Sequence, residues 1–267
     1  MKKTDVAFLY DFDGTLAEGN IQEYNFIPAL NMTSDVFWKE VSTLAKENEM
    51  DGVLAYMYLM LKKAAANDIS IKKEAFINYG KGISLYNGVD TWFSRINNYA
   101  SKRGIRLHHF IVSSGIKEMI EGTQIANEFE KIYASSYMYD IDGIAKWPAL
   151  SVNYTNKTQF LFRISKRKLD VYDNSVNDYM TEEDIEIPFT NMVYFGDGET
   201  DIPCMKIVKG YGGKSIAVYD SLKRKLIAEK MMKDKRINYY AESDYRENSK
   251  LDKYIKGYID KLSSSLE

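Results

Sequence analysis

Two pairs of carboxylates stand where a chain ordinarily avoids them. In FLYDFDGTLAEG, Asp11 and Asp13 follow the apolar run Val6–Tyr10, and in NMVYFGDGETD, Asp197 and Asp201 follow a second apolar run. Acidic residues are poor strand formers and are seldom buried without a partner. Ser113 and Ser114 follow a third run, HHFIV. Gathered at one place, four carboxylates would repel one another and raise their own pKa values, a conflict that a divalent cation removes. A donor set of oxygens with neither cysteine nor histidine suits Mg2+, which keeps several waters and favours a few carboxylates plus a phosphate.

Such a gathering needs elements that deliver the three clusters to one edge. Val6 to Tyr10 reads as a buried strand. A helical texture runs from about Ile21 to Gly82. There Phe37, Val41, Leu44 and Ala45 recur at helical spacing behind the capping candidates Thr33, Ser34 and Asp35. VLAYMYLMLKKAAA is apolar on most faces, and SIKKEAFINYGKGI stops at Gly80 or Gly82. From Asp90 onward strand and helix alternate: helix over 90–102, strand over 107–112, helix over 115–130 and strand over 132–138. A hairpin then turns at Asp142–Gly143. Helix 156–168, strand 191–195, helix 201–209, strand 215–219 and a helix to about Lys233 follow, before a last strand in INYYAES and an amphipathic helix in SKLDKYIKGYIDKL. This alternation predicts an α/β fold, a Rossmann-like and mainly parallel sheet with helices on both faces. Ligands of such sheets sit at the carboxyl ends of the strands, where all three polar clusters fall.

Taken in order, DFDGTL, IVSSG, the lysine of NKTQFL and FGDGETD resemble the four motifs of the haloacid dehalogenase superfamily. They are most similar to its phosphoserine-phosphatase-like branch, in which a hairpin like YDIDGIAK precedes the lysine and GDG-x-x-D carries the fourth motif. The resemblance covers about residues 5–16 and 85–245. It implies a Mg2+-dependent phosphatase that hydrolyses a small phosphomonoester through an aspartyl-phosphate. On that reading Asp11 is the nucleophile. Asp13 protonates the leaving alkoxide, then deprotonates the attacking water, and offers its main-chain carbonyl to the metal. Gly14 permits a tight turn and Thr15 begins a helical turn. Ser113 hydrogen-bonds a phosphoryl oxygen, with Ser114 as its rival. Lys157, with Lys146 and Lys166 as rivals, neutralises charge on Asp11 and the phosphoryl group. Asp197 ligates the metal, and Asp201 holds a metal-bound water or orients Lys157.

The resemblance also divides the chain. Residues 1–16 and 85–267 form the α/β core, and 17–84 form an inserted small α-helical cap that closes over the site. The cap's opening, AEGNIQEYNF, lies beside Asp13 and offers Glu18, Asn20, Gln22 and Tyr24 as substrate contacts, with Ser114 and Gly115 joining from the second motif. A cap favours a small phosphorylated metabolite over a phosphoprotein. A phosphomutase shares the cap position and both acids, so it stays open as an alternative. So does a catalytically silent binding or regulatory protein of the same fold.

Composition narrows the partners. With 36 basic and 38 acidic side chains and a net charge of -2, the chain shows no footprint for nucleic acid or a membrane surface. No segment approaches the ~20 apolar residues of a membrane span. The start, MKKTDVAFLYDF, lacks the apolar run of a signal peptide. Cys204 is the only cysteine, which excludes an intrachain disulfide and fits a reducing, cytoplasmic setting. It is expected in the core. His108 and His109 read as structural residues at the strand end away from the site, and Gly212–Gly213 as a loop beside it.

Overall fold

The strand before the first acid pair is the centre of the sheet. β1 (Thr4–Tyr10) is flanked by parallel strands on both sides, so it is apolar on both faces rather than alternating. In this computed structural model, which describes residues 3–264, Val6, Phe8 and Tyr10 enter one buried cluster while Ala7 and Leu9 enter the other. The outer limits at 1 and 267 drawn from the sequence lie outside the described residues.

Between β1 and the next strand come α1 (Phe26–Ala29), α2 (Ser34–Glu47), α3 (Gly52–Ala66), α4 (Lys73–Gly80) and α5 (Val89–Ser101). Among the capping candidates Thr33 is the one used, its side chain accepting from the Val36 amide. Asp51 caps α3 through the Val53 and Leu54 amides at 2.9 and 3.1 Å. α3 buries Ala55, Tyr56, Met57, Leu59, Met60 and Ala64, as its all-round apolar pattern requires.

The remaining elements are β2 (Ile105–Ile116), α6 (Lys117–Glu121), β3 (Lys131–Tyr139), β4 (Ala145–Leu150), α7 (Lys157–Ser165) and β5 (Met192–Gly196). After them come α8 (Ile202–Gly210), β6 (Lys214–Tyr219), α9 (Leu222–Lys233), β7 (Tyr239–Glu242) and α10 (Lys250–Ser264). The seven strands run in the order β4-β3-β2-β1-β5-β6-β7. Every pairing is parallel except the β3–β4 hairpin. α5 and α10 cover one face with Trp92, Phe93, Ile96, Leu251, Ile255 and Ile259. α7, α8 and α9 cover the other with Phe160, Leu161, Ile164, Met205, Val208 and Met231, and Cys204 lies buried among them. The apolar residues of α1–α4 belong to the α5/α10 cluster, so the inserted helices are packed continuously with one face of the sheet. No helix of the described residues is long and apolar enough to cross a membrane.

Two expectations need correction. The second strand does not stop at Val112 for a helix over 115–130. It continues to Ile116, with a register shift against β3 between Val112 and Ile116, and only Lys117–Glu121 is α-helical before a short turn at Ala126–Glu128. Glycine at 115 and 122 weakens a helix there. Gly212–Gly213 precedes β6, beside Thr190 and the Phe189 and Met192 carbonyls. That is the amino end of the strands, opposite the acids.

His109 is structural, though mid-strand. The Trp92 indole donates to the Tyr10 hydroxyl at 3.0 Å, which lies 3.2 Å from His109 Nδ1, while His109 Nε2 lies 2.9 Å from Asn97 Oδ1. Donation by Tyr10 and acceptance by Asn97 satisfy a neutral imidazole completely. Burial, and then the neighbouring His108, push its pKa down to about 3. The unfolded chain therefore takes up this proton first, near the ordinary value of about 6.5. The contribution to stability is complete above that pH and is lost as pH falls toward 3, at about 1.4 kcal/mol per unit. Urea melts of wild type and His109→Gln should show a stability gap that narrows at that rate between pH 6 and 4; a gap independent of pH would contradict this assignment.

Candidate active site

Each acid lies where its strand ends. Asp11 follows β1 directly and its amide donates to the Phe195 carbonyl of β5 at 2.9 Å, which ties the first and fourth motifs together. Beyond it the Phe12 carbonyl accepts from Thr15, Leu16 and Ala17 amides in a single turn that does not continue as a helix. Gly14 sits in this turn at φ +71°, a backbone conformation that glycine adopts without penalty. Asp197 and Asp201 lie just past β5, and Asp201 occupies a one-turn 3-10 helix that opens α8.

Lys157 is the hub. It is the first residue of α7 and only 1% exposed, and its Nζ stands 3.0 Å from Asp11 Oδ2 and 2.8 Å from Asp201 Oδ1. Lys146 instead pairs with Asp140, and Lys166 donates to the Val176 and Asp178 carbonyls. Asp11 Oδ1 accepts from the Phe12 amide at 2.8 Å. Asp201 Oδ1 also accepts from the Tyr194 hydroxyl at 2.8 Å. Asp13 Oδ1 accepts from the Ile21 amide at 2.9 Å. Ser113 is fully buried, and its Oγ accepts from the Gly115 amide at 3.0 Å, which leaves the hydroxyl proton free to donate. The Ser114 carbonyl accepts from the Tyr56 and Ser135 hydroxyls.

Carboxylate oxygens of Asp11, Asp197 and Asp201 lie within 4.8 Å of one another. Burial, and then the charge of Asp201, push the Asp11 pKa up to about 6 against the pull of Lys157. Burial and the charges of Asp201 and Asp11 raise Asp197 to about 8, opposed by Arg224 and Lys157. Burial and the adjacent Asp11 hold Asp13 well above the carboxylate range, although the Ile21 amide works the other way. Burial disfavours charge on Lys157 too, but Asp11 and Asp201 outweigh it and raise its pKa. Desolvated like charges of this kind are the signature of a functional cluster. An all-oxygen, anionic donor set fits a hard divalent cation such as Mg2+.

These groups border two cavities that share Asp13, Asn20, Ser114 and Thr200. One, of about 410 Å3, holds Asp11, Asp197 and Arg224; the other, of about 300 Å3, extends under the inserted helices to Gln22, Trp38, Asp51 and Tyr56. Of the four residues expected from the cap's opening, Asn20 and Gln22 line this space. Glu18 and Tyr24 do not. The Tyr24 hydroxyl donates to the Glu18 and Ser84 carbonyls, and Glu18 borders a separate depression with Tyr86, Tyr219 and Asp220. Between these residues the backbone enters the left-handed region at Gly19, φ +56°, and forms a 3-10 turn over Ile21–Glu23.

Sequence reasoning did not single out Arg224, whose Nη1 stands 3.2 Å from Asp197 Oδ2 and 3.4 Å from Asp220 Oδ2. Asp220 follows β6 at the same sheet edge and Arg224 lies four residues on, so the strand-end rule that located Asp11 and Asp197 also reaches this pair. Tyr56, Tyr194 and Thr200 had no such signal, since their roles depend on packing between distant elements.

The chain belongs to the haloacid dehalogenase-like hydrolase family, whose pattern matches residues 8–206. A protein of Borreliella burgdorferi (strain B31), described only as uncharacterized, is 27% identical over 277 residues and spans 94% of this chain and 95% of its own. Among solved structures, a substrate-bound phosphoserine phosphatase superposes with a TM-score of 0.58 at 16% identity, covering 96% of this chain and 99% of that one. A phospho-aspartyl intermediate analogue of phosphoserine phosphatase gives 0.57 at 15% identity, with the same coverage. A family hydrolase from Salmonella enterica serovar Typhi gives 0.56 at 16%, covering 88% of this chain and 66% of that protein. The fold is therefore that of the phosphoserine phosphatases.

Gly115 shows how tightly the site is built. A Cβ there would lie 2.9 Å from Asp13 Oδ2 and 3.2 Å from Ile21 Cγ2. Gly115→Ala should displace the Asp13 carboxyl and cost at least about tenfold in the rate of phosphoester hydrolysis, equivalent to about 1.4 kcal/mol, in a protein with an unchanged circular dichroism spectrum. A folded variant with the wild-type rate would show that the close approach has no catalytic meaning.

Proposed function

We propose that the protein is a Mg2+-dependent phosphatase acting on a small phosphorylated metabolite, with residues 17–84 serving as its cap. The observation that carries this reading is Lys157 bridging Asp11 and Asp201, with Asp11, Asp13 and Asp197 lining one cavity. Asp11 attacks phosphorus, the bond from phosphorus to the ester oxygen breaks, and Asp13 delivers its proton to the departing alkoxide. Water then attacks the same phosphorus and gives a proton to Asp13. The Asp11–phosphorus bond breaks, releasing phosphate and restoring both carboxyls. The raised pKa of Asp13 suits a group that must hold a proton at neutral pH. Lys157 balances charge on Asp11 and the phosphoryl oxygens, Ser113 donates its hydroxyl to one of those oxygens, and Ser114 and Gly115 shape the space around them. Asp201 orients Lys157. Asp11, Asp197 and the Asp13 main-chain carbonyl would hold Mg2+, which supplies charge neutralisation between the anionic nucleophile and the phosphate dianion. The phosphoserine phosphatase captured as a phospho-aspartyl analogue shares this fold and supports a covalent route. The single buried Cys204 suits a reducing cytoplasm.

Two tests follow. Asp11→Asn should lower hydrolysis of p-nitrophenyl phosphate by at least about 10³-fold, because the nucleophile is lost, and chelation of Mg2+ should silence the wild type; an Asp11→Asn variant as fast as wild type would overturn the reading. Asp197→Asn removes a carboxyl that Asp11 and Asp201 crowd. It should lose the upward melting shift that Mg2+ gives the wild type. An undiminished Mg2+ shift in this variant would place the ion elsewhere.

A further inference from the structure

The cavity beneath the inserted helices carries a chemical preference of its own. We infer that it accepts the leaving group of a small amino-alcohol phosphate, an ester whose alcohol bears a cationic nitrogen, and disfavours one bearing a carboxylate. This inference rests on the phosphatase reading and deepens it. The 300 Å3 cavity is walled by Trp38, Tyr56 and Tyr154, with Asp51, Asn153 and Gln22 as polar members, and it has no lysine, arginine or histidine among its described lining residues. The site's cations, Lys157 and Arg224, are engaged elsewhere: Lys157 by Asp11 and Asp201, Arg224 by Asp197 and Asp220. A substrate spanning both spaces would thus place its phosphate near these cations and its alcohol among aromatic rings and acceptors.

Three observations point to a cationic donor there. Asp51 has no ion-pair partner among the described residues; its oxygens accept only from the Val53 and Leu54 amides and from Asn153 Nδ2 at 2.9 Å. Gln22 is 2% exposed and its Oε1 is buried with no hydrogen-bond partner, an acceptor whose desolvation goes uncompensated until a donor arrives. Trp38 and Tyr56 form an edge-to-face pair with centroids 5.9 Å apart, and Glu23 fixes the Trp38 indole and Asn20 together through one carboxylate oxygen. Aromatic faces attract ammonium groups. A carboxylate on the alcohol, as in phosphoserine, would meet Asp51 with no cation in the lining to balance it.

The test is steady-state kinetics of the Mg2+-supplemented full-length protein on phosphoethanolamine, phosphocholine, phosphoserine, glycerol 3-phosphate and p-nitrophenyl phosphate. One of the two amino-alcohol esters should exceed both phosphoserine and glycerol 3-phosphate at least tenfold in kcat/KM. Asp51→Asn keeps a capping oxygen for α3 and should shrink that ratio at least fivefold, chiefly through KM. Trp38→Leu should shrink it as well and serves if the first variant fails to fold. Preference for phosphoserine or glycerol 3-phosphate, or a ratio unmoved in the folded variants, overturns the inference while leaving the phosphatase reading intact. Failure to hydrolyse any of the five esters overturns both.

Discussion

The structure is organised around a charge imbalance. Asp11, Asp13, Asp197 and Asp201 converge where only Lys157 and Arg224 offer positive charge. In a water-poor environment such crowding is expensive unless the acids hold protons or a cation joins them. The elevated pKa values of Asp11, Asp13 and Asp197 express the first solution. A divalent ion is the second: under the proposed reading it would let Asp11 stay ionised, while Asp13, outside the three-carboxylate cluster, would hold its proton. One constraint thereby separates two neighbouring carboxyls into different chemical roles.

The fold meets this constraint with rigid elements. Parallel strands place the ends of β1 and β5 side by side, and the Asp11 amide bonds directly to Phe195. Behind them Tyr10 stacks on Phe195 with centroids 4.6 Å apart, within a core that leaves little room for the strand ends to separate. α7 then delivers Lys157 from the opposite side with no exposed length of side chain. The inserted helices pack onto the strands beside the site, the Tyr56 hydroxyl bonding the Ser114 carbonyl of the second motif and the Tyr137 hydroxyl of β3 bonding the Met57 carbonyl.

Much of this was legible in the sequence because the fold rule and the motif order agree. Strand-terminal acids identify an edge, and Asp11, Asp197, Asp201 and Lys157 do meet there. What escaped has physical reasons. The extension of β2 to Ile116 depends on pairing with β3 across an irregular register, which local propensity does not report. Glu18 and Tyr24 part from Asn20 and Gln22 through the local backbone path around Gly19 and the 3-10 turn Ile21–Glu23, which nearness in sequence to Asp13 does not report. Gly212–Gly213 follows a helix and precedes a strand, so it belongs to the amino edge by the same rule that puts the acids at the other. Tyr56 and Trp38 read as ordinary apolar positions of α3 and α2, and only tertiary packing makes them walls of a cavity.

The account's central claim is that a divalent ion and Lys157 together let Asp11 accept a phosphoryl group. Crystals grown with Mg2+ and beryllium fluoride test it most directly. The expected density is a trifluoroberyllate bonded to an Asp11 carboxylate oxygen, with Mg2+ ligated by Asp11 and Asp197 and with Lys157 still in contact with Asp11. Beryllofluoride on another residue, or Mg2+ bound away from Asp11 and Asp197, would contradict it.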